Sequence, residues 1–354
     1  MTYSYAKLGD IATYINGYAF KPKDHGTKGL PIIRIQDLTG SSNDRGYYAG
    51  EYPSKIEINN GDVLISWSAS LGVYVWNKGK ALLNQHIFKV KFDKKDIDKD
   101  YFVYAVRFNL TKLKQLTHGA TMKHVVKKDF ENVLIPYPSL KRQREIAYVL
   151  DKLERNLTQK SQELDKLDEL IKARFVEMFG DPICNSQKRP TVSFINVVKL
   201  QRGFDLPVKK RNSEGNIPVF GSNGILGYHT EFKAQKGIIT GRSGTIGQVY
   251  REQGKFWPLN TSLFSINTHG NNIIYLQFLL QMFHLERFYN GAGVPTLNRN
   301  DVHRQKIIDV PVNEQNEFAN FVQQVDKSKF ENIVYLNKTL SMKILSQLGD
   351  GFRD

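Results

Sequence analysis

Amide, hydroxyl and cationic side chains in short loops are the residues of this sequence best suited to chemistry, and they fit no catalytic motif. The sequence contains no G-x-x-x-x-G-K-[ST] phosphate loop, no G-x-S-x-G or H-E-x-x-H motif, and neither the D/N-P-P-Y/F nor the F-x-G-x-G motif of adenine methyltransferases. Its eight histidines and one cysteine, Cys184, lack metal-ligand spacing. We therefore expect no catalytic residue and no metal site in this chain.

The loops of the first half suit nucleic acid. Asparagine and glutamine pair with adenine, arginine pairs with guanine, and hydroxyls, lysines and backbone amides bind phosphates. The loop from Ser66 to Gly72 is rich in small hydroxyl residues, and we expect Trp67 at its tip. The predicted DNA contacts in this half are Arg34, Gln36, Trp67, Ser68, Ser70, Asn84, Gln85, His86, Lys123, His124 and Lys127.

The loops of the second half have a comparable composition. The segment 241–247 is the counterpart of the first hydroxyl-rich loop, with Arg242 at its tip, and Asn260 opens the next strand at the position matched to Asn84. A plain hairpin, a strand-edge asparagine and a solvated charge cluster at 209–211 are the ordinary alternatives. The predicted DNA contacts in this half are Lys209, Lys210, Arg211, Asn223, Arg242, Ser243, Thr245, Asn260, Thr261, Thr296, Asn298 and Arg299.

These two sets of loops lie in an internal repeat, because the chain resembles itself at an offset of roughly 170 to 190 residues. Short β-branched runs and one apolar helix alternate in each half, which predicts two pseudo-repeated mixed α/β domains, an α/β (α+β) fold. With two copies, the pattern indicates a duplicated domain and not a solenoid. The matched pairs occur in the same order and include Gly17 with Gly203, Asp129 with Asp301, Ile135 with Ile307, Gln143 with Gln315, and Glu145 with Glu317.

Each half ends in a long predicted helix. Residues 140–179 contain no Pro or Gly and carry apolar residues at a seven-residue period, and a Gly-Asp-Pro sequence follows them. A second, less regular stripe runs from about 313 to 348. The predicted seam residues are Ile146, Leu150, Leu153, Leu157, Leu164, Leu167, Ile171, Met178, Phe318, Val322, Val325, Ile333, Leu340, Ile344 and Leu348.

Two such helices in one chain most simply pack as an antiparallel coiled-coil rod of about 60 Å that separates the two globular domains. The ordinary alternative is that the stripes are plain core. The predicted domains are globular regions at 1–138 and 182–312, and spacer helices at 139–181 and 313–354.

The net charge of +15 is concentrated in the globular regions. Residues 1–138 carry +7 and residues 180–313 carry +8, whereas 139–179 carry +1 and 314–354 carry −1. Two basic regions joined to nearly neutral helices are the layout expected for a protein that holds two segments of one DNA duplex. A single cysteine, no apolar run of membrane-spanning length and no secretory signal lead us to expect a cytoplasmic protein without a membrane segment.

The sequence resembles the specificity subunits of type I restriction–modification systems along its whole length. The residues that carry the resemblance are the segments 8–11, 61–66, 135–136 and, within the first long helix, 143–153 (QREIAYVLDKL) and 174–182 (RFVEMFGDP). The second helix matches the family pattern less well, and the chain is short for the family.

This resemblance implies a non-catalytic subunit of a site-specific DNA adenine methyltransferase and restriction endonuclease. Each globular domain would be a target recognition domain that reads one half of a bipartite double-stranded DNA site, and the rod would set the spacer. Two modification subunits with S-adenosylmethionine would dock on this chain, and restriction subunits with ATP and Mg²⁺ would join them. A stand-alone sequence-specific DNA-binding protein and a coiled-coil protein scaffold are the alternatives that the residues leave open.

Overall fold

The computed structural model describes residues 4–41, 46–110, 117–118, 124–211, 214–291 and 293–348. The side chains of residues 117, 118, 124 and 337–348 are not among those described. The predictions for Lys123 and for the side chains of His124, Leu340, Ile344 and Leu348 therefore lie outside the described part of the chain. The chain forms two compact units, residues 1–159 with 336–354, and residues 160–335.

The described residues of the first head, which is defined as residues 4–136, form short strands and four short α-helices. Its strands are β1 (Tyr5–Lys7), β2 (Thr13–Asn16), β3 (Leu30–Ile33), β4 (Tyr47–Tyr48), β5 (Glu57–Ile58), β6 (Val63–Ser66), β7 (Gly72–Val75), β8 (Ala81–Leu83), β9 (Ile87–Lys91), β10 (Thr117–His118), β11 (His124–Val125) and β12 (Leu134–Pro136). Its helices are α1 (Leu8–Ile11), α2 (Ile35–Thr39), α3 (Lys99–Phe108) and α4 (Lys127–Glu131).

The first long helix, α5 (Leu140–Phe179), leads to the second head, defined as residues 191–308. The strands of the second head are β13 (Thr191–Ser193), β14 (Lys199–Arg202), β15 (Ile217–Gly221), β16 (Gly224–His229), β17 (Ala234–Gly241), β18 (Val249–Pro258), β19 (Ser262–Asn267), β20 (Tyr289–Asn290), β21 (Thr296–Leu297) and β22 (Lys306–Ile308). Its helices are α6 (Phe194–Val197), α7 (Ile273–Met282) and α8 (Arg299–His303), and the second long helix α9 (Val312–Leu348) follows.

The sheets of the two heads share a plan. The first head has two four-stranded sheets, ordered β2-β9-β6-β7 and β4-β3-β8-β5, and the second has one six-stranded sheet, β14-β19-β17-β18-β15-β16. Strands β3 and β8 pair in parallel, as β15 and β18 do, while β1 pairs with β12 as β13 pairs with β22. The predicted duplication of a mixed α/β domain is therefore confirmed.

Backbone hydrogen bonds fix the register between the copies. Gln85 N donates to Tyr18 O at 2.9 Å, and Asn260 N donates to Phe204 O at 3.0 Å. The expectation that Asn84 matches Asn260 is thus wrong by one residue, since Gln85 is the counterpart of Asn260. Residues 262–265 are all buried, so the strand lacks the alternation of buried and exposed positions that would have fixed its register.

The segment after β3 is where the heads diverge. The equivalent strand ends are identified by two bonds, from Asn84 N to Ile33 O at 3.1 Å and from Leu259 N to Phe220 O at 2.8 Å. In the first head the chain then forms α2, whereas in the second head a two-residue turn leads directly from β15 to β16. The apolar run at 30–35 predicts a strand through residue 35, but the structure ends the strand at Ile33 and begins a helix at Ile35.

The long helices have the predicted bounds, and they pack antiparallel within residues 160–335. Helix α5 ends at Gly180, whose φ of +77° suits glycine and whose N–H donates to Val176 O at 2.8 Å. As residue numbers increase along α5, the numbers of their partners on α9 decrease. Lys160 Nζ contacts Asn332 Oδ1 at 3.2 Å, Asp168 pairs with Lys329, and Arg174 Nη2 contacts Glu317 Oε1 at 3.1 Å.

The predicted seam residues divide into two groups. Leu167, Ile171, Met178, Phe318, Val322 and Val325 pack in the core of the second head and its helices. Ile146 and Leu150 instead pack in the core of the first head, so the beginning of α5 belongs to that head. Leu153 is buried, Leu157 and Leu164 are half-buried, and Ile333 is 44% exposed.

None of the helices in the described ranges has the length and apolar character needed to cross a bilayer.

Candidate nucleic-acid interface

A groove of about 290 Å³ in the first head collects most of the residues predicted to contact DNA there. Three separate segments line it: the start of α2, the loop after β6, and the turn before β9. Seven predicted residues are among the lining side chains, namely Arg34, Gln36, Ser68, Ser70, Asn84, Gln85 and His86. Residues up to 52 positions apart in sequence thus converge, which the periodic pattern alone did not predict.

Asp37 holds the first wall of the groove in place. Its carboxylate is 4% exposed and accepts a hydrogen bond from Arg34 N at 2.9 Å, while Arg34 Nε lies 3.5 Å from the same oxygen. This arrangement caps the short helix α2 at its N-terminus. The Arg34 side chain is therefore tethered and remains about a quarter exposed, facing a groove that also presents Gln36.

The second wall is a tight loop between β6 and β7. Ser66 Oγ donates to Ser70 O, and Ala69 adopts a left-handed backbone conformation with φ of +55°. This conformation is uncommon for residues other than glycine. The loop therefore has a fixed shape that exposes Ala69 and Ser70 at its tip.

Trp67 does not occupy that tip, contrary to the expectation from its sequence. Its ring stacks on Phe88 at a centroid distance of 5.7 Å and packs against the core of the head. Backbone bonds from Trp67 N to His86 O at 3.1 Å and from Val125 N to Trp67 O at 2.9 Å hold the residue as a continuation of the strand. Ser68 is also buried, although it lines the groove.

The floor of the groove is the turn before β9. Asn84 Oδ1 accepts a hydrogen bond from Gln85 N at 2.8 Å, which leaves the Asn84 amide nitrogen as the donor end of that side chain. His86 has a left-handed φ of +73°, and the Gln85 side chain is exposed. Amides and a guanidinium around one groove provide the donor and acceptor pairs that read purine edges.

Thr39 and Ser41 also line this groove, and the sequence interpretation missed them. They lie at the end of α2 and just after it, so they line the groove only because a helix forms where a strand end was expected. The signal was present in the sequence: Asp37 lies three residues after Arg34, the spacing at which an acidic side chain caps a helix.

The second head brings its predicted residues together around Arg242. Arg242 N donates to Thr261 O at 2.9 Å, and its Nη1 donates to Asn260 O at 3.3 Å, so the guanidinium is held half-buried. Ser243 forms a bridge with Thr296, which fixes the loop against β21. Arg242 O also accepts from Leu297 N at 2.7 Å, so Arg242 has the same pair of backbone attachments as Trp67. Like Trp67, it does not occupy the tip of its loop, contrary to the expectation from the sequence; the exposed residues there are Gly244 and Thr245.

The turn between β15 and β16 packs beside this loop. A Cβ placed on Gly241 would lie 3.3 Å from Cβ of Ser222, and one placed on Gly221 would lie 3.6 Å from Oγ1 of Thr261. Asn223, which is exposed, therefore projects from the turn next to the Arg242 loop. The second site thus occupies the place of the first groove and has a hairpin turn in place of α2.

Most of the remaining predicted residues are exposed, and several of them have structural partners. Asn298 caps α8 by accepting from Asn300 N at 3.0 Å, and Asn260 Nδ2 donates to Asp205. Lys127 Nζ donates to Tyr14 O at 2.9 Å, so this cation has a structural partner. Thr245, Arg299, Lys209 and Lys210 are exposed, Arg211 is half-buried, and the basic segment forms the short 3-10 helix Val208–Lys210.

His303 is a titratable group of the second head whose surroundings favour its neutral form. Its Nε2 accepts a hydrogen bond from Leu200 N at 3.0 Å, which requires the neutral ring. Burial, followed by Arg299 and Lys199, lowers its pKa below the usual value. Within the described ranges, no three His, Cys, Asp or Glu side chains are grouped as metal ligands would be.

The model of the type I restriction modification DNA specificity domain matches residues 2–169 and 191–341. These two matches cover most of the chain and contain both heads. The chain therefore belongs to the type I restriction–modification specificity family.

Relatives and solved structures agree with this assignment. The chain is 27% identical over 167 residues to the type I restriction enzyme EcoBI specificity subunit of Escherichia coli, and 28% identical over 158 residues to the MjaVIII specificity subunit of Methanocaldococcus jannaschii. These matches cover 47% and 43% of this chain but only 35% and 37% of the relatives' own length.

Two solved structures share the fold. The crystal structure of the type I S subunit from M. genitalium aligns with a TM-score of 0.64 at 15% identity, covering 100% of this chain and 96% of that chain. A structure from a study of complex assembly and conformational transition of the type I system aligns with a TM-score of 0.60 at 16% identity, covering 99% and 97%. At these identities, the two alignments show the fold alone.

Proposed function

We propose that this chain is the DNA-recognition subunit of a type I restriction–modification complex, in which each head reads one half of a bipartite site. The single observation that carries the proposal is the convergence of seven base- and phosphate-compatible residues on one groove of the first head. The equivalent place in the second head carries Arg242, Ser243 and Thr261, joined by the same backbone bonds. Different side chains on matched scaffolds would read different sequences.

The chain acts without chemistry of its own in this proposal. Two modification subunits with bound S-adenosylmethionine would dock on it and methylate adenine, and restriction subunits with ATP and Mg²⁺ would cleave DNA. The two antiparallel long helices would set the unread spacer between the half-sites. Since its substrate is chromosomal and incoming DNA, the complex would work in the cytoplasm.

The test is to map methylated adenine in cells that express this chain with a type I modification subunit, and in cells that express each alone. The proposal predicts methylation at a two-part motif only when both are present. Gln36→Leu with Gln85→Leu should then degrade the motif in one half and leave the other half unchanged, because both side chains line the first groove. Gln253→Leu, an exposed glutamine of β18, is the matched control.

Binding of the purified chain to DNA at increasing salt separates this proposal from a protein scaffold. A protein that neutralises several phosphates loses affinity steeply as salt rises. A flat salt response would favour the scaffold. A stand-alone DNA-binding protein would be favoured if the chain binds DNA tightly and sequence-specifically and methylation does not depend on it.

A further inference from the structure

Two buried glutamines occupy equivalent positions at the beginning of the two long helices. Gln143 is 0% exposed and lies one turn into α5, and Gln315 is 1% exposed and lies one turn into α9. Buried amides are retained in cores where their donors and acceptors are satisfied. Both glutamines meet this condition through an equivalent pair of backbone partners, and Gln315 Nε2 also donates to Asn271 Oδ1 at 2.7 Å.

Each glutamine joins its long helix to the shorter helix of its own head. Gln143 Oε1 accepts from Asp98 N at 2.8 Å, and its Nε2 donates to Pro138 O at 2.8 Å. Gln315 Oε1 accepts from Asn272 N at 2.9 Å, and its Nε2 donates to Val310 O at 2.8 Å. Asp98 and Asn272 are the N-caps of α3 and α7, so each glutamine fixes two helix starts at one point.

A second attachment lies further along each helix pair. In the first head, Tyr104 Oη donates to Asp151 Oδ1 at 2.7 Å, two turns beyond the glutamine. In the second head, Arg251 bridges Gln277 of α7 and Asp326 of α9, with 2.7 Å between Arg251 Nη2 and Asp326 Oδ2. Between the two attachments, apolar side chains fill the contact, Ile146 and Ala147 in one case and Phe318 and Ala319 in the other.

One attachment leaves a helix free to pivot, whereas two attachments fix its angle. The outer attachments are partly exposed polar contacts, which contribute little by themselves. The buried glutamines are therefore the stronger of the two constraints, because removing one takes a hydrogen bond from a partly buried backbone N–H and from a buried carbonyl.

We infer that Gln143 and Gln315 are positioning residues that hold each head at a fixed angle on its long helix, so that the complex accepts one spacer length. This inference rests on the proposed function, in which the heads read DNA and the long helices set the spacer. A head that pivots on its helix carries its base-contacting loops with it. The expected result of removing a glutamine is a relaxed spacer with unchanged half-site sequences.

The experiment uses the full chain assembled with its modification subunit and a plasmid library that carries both half-sites at the native spacer and at spacers one base pair shorter or longer. The measured quantity is the ratio of methylation at altered and native spacers. For Gln143→Leu and Gln315→Leu we expect this ratio to rise by about tenfold, since the first variant lacks two side-chain hydrogen bonds at this contact and the second lacks three. Gln143→Met repeats the test with a flexible side chain of similar length.

The matched control is Asn109→Leu. Asn109 is also buried, and its Nδ2 donates to Ala105 O at 2.8 Å, but both residues lie within the first head and neither touches α5 through this bond. A general loss of stability would lower methylation at every spacer in all variants and would leave the ratio unchanged. An unchanged ratio in folded Gln143→Leu, Gln143→Met and Gln315→Leu overturns the inference. If the wild-type chain directs no two-part methylation, the proposed function itself fails, and the inference fails with it.

Discussion

The two heads have the same backbone attachments and different side chains at their candidate sites. Trp67 in the first head and Arg242 in the second are held by equivalent backbone bonds, yet the tryptophan packs against a core and the half-buried arginine donates to Asn260 O. Helix α2 forms a groove wall in the first head where a two-residue turn stands in the second. Backbone hydrogen bonds therefore maintain the duplicated scaffold, while side chains and one short insertion differ between the two sites.

The cores of the heads provide the largest expected effect. Ile146 and Phe318 occupy equivalent positions on α5 and α9, but Phe318 packs against Phe175, Phe179 and Phe278, all within 5.6 Å between ring centroids. Phe318→Ala should lower the free energy of unfolding by about 3–5 kcal/mol, and Ile146→Ala by about 2–4 kcal/mol. Denaturant titration of the full chain measures both. A larger loss of unfolding free energy in Ile146→Ala than in Phe318→Ala would show that the stability of the first head depends more on its long helix than that of the second head does.

The residues predicted to contact DNA give the next largest expected effect. Arg242→Ala should reduce discrimination between bases in one half of the motif by about 10- to 100-fold, because an arginine pair to guanine contributes about 1–3 kcal/mol. Arg202→Ala, an exposed arginine on β14, is the control in the same head. Methylation mapping reads both halves in one experiment. Weaker methylation of all sequences alike, with the motif retained, would identify Arg242 as a phosphate contact.

The basic segment of the second head tests a smaller, sequence-independent difference. Lys209→Gln with Lys210→Gln should reduce the slope of log affinity against log salt by about 0.9 for each phosphate that the variant no longer neutralises. Lys152→Gln with Lys166→Gln removes two exposed cations from α5 and should leave that slope unchanged. Equal slopes for the two double variants would place the DNA path away from the 3-10 helix.

The smallest expected effect is a dependence of stability on pH. His303 has a lowered pKa in the folded chain, so the unfolded state takes up its proton first as the pH falls. The stability contributed by neutral His303 is therefore fully present above the ordinary histidine pKa of about 6.5 and is lost below it. Glu131 stands at the equivalent position of the first head. In His303→Gln, the melting temperature of the second head should therefore fall less between about pH 7 and pH 5 than it does in the wild-type chain. Calorimetry measures this fall. If the fall is the same in both proteins, other groups cause it.

The elements that could be predicted from the sequence are those with a long or strict pattern. Helix α5 was predicted with its observed bounds because 40 residues without Gly or Pro end at a glycine that adopts a left-handed φ. The antiparallel pairing also followed, since two apolar stripes in one chain need partners. The match of Gln143 with Gln315 was visible as well, although their burial and bonding were not.

The details of the sites could not be predicted, because long-range backbone bonds determine them. The assignment of Trp67 to a loop tip was wrong since its bond to His86 continues the strand. The groove depends on α2, whose five residues are too few to show a helical period. Which of the predicted residues contact DNA stays a prediction that the variants above can test.

Ala69 and His86 have a thermodynamic consequence. Both adopt a left-handed backbone, a conformation that costs of order 1 kcal/mol or more for residues other than glycine. The rest of the folded head offsets this cost, so in the proposed function the groove would offer a duplex two turns whose backbone folding has already restricted. A half-site would then bind the first head with a smaller conformational-entropy penalty than it would bind loops that order on contact.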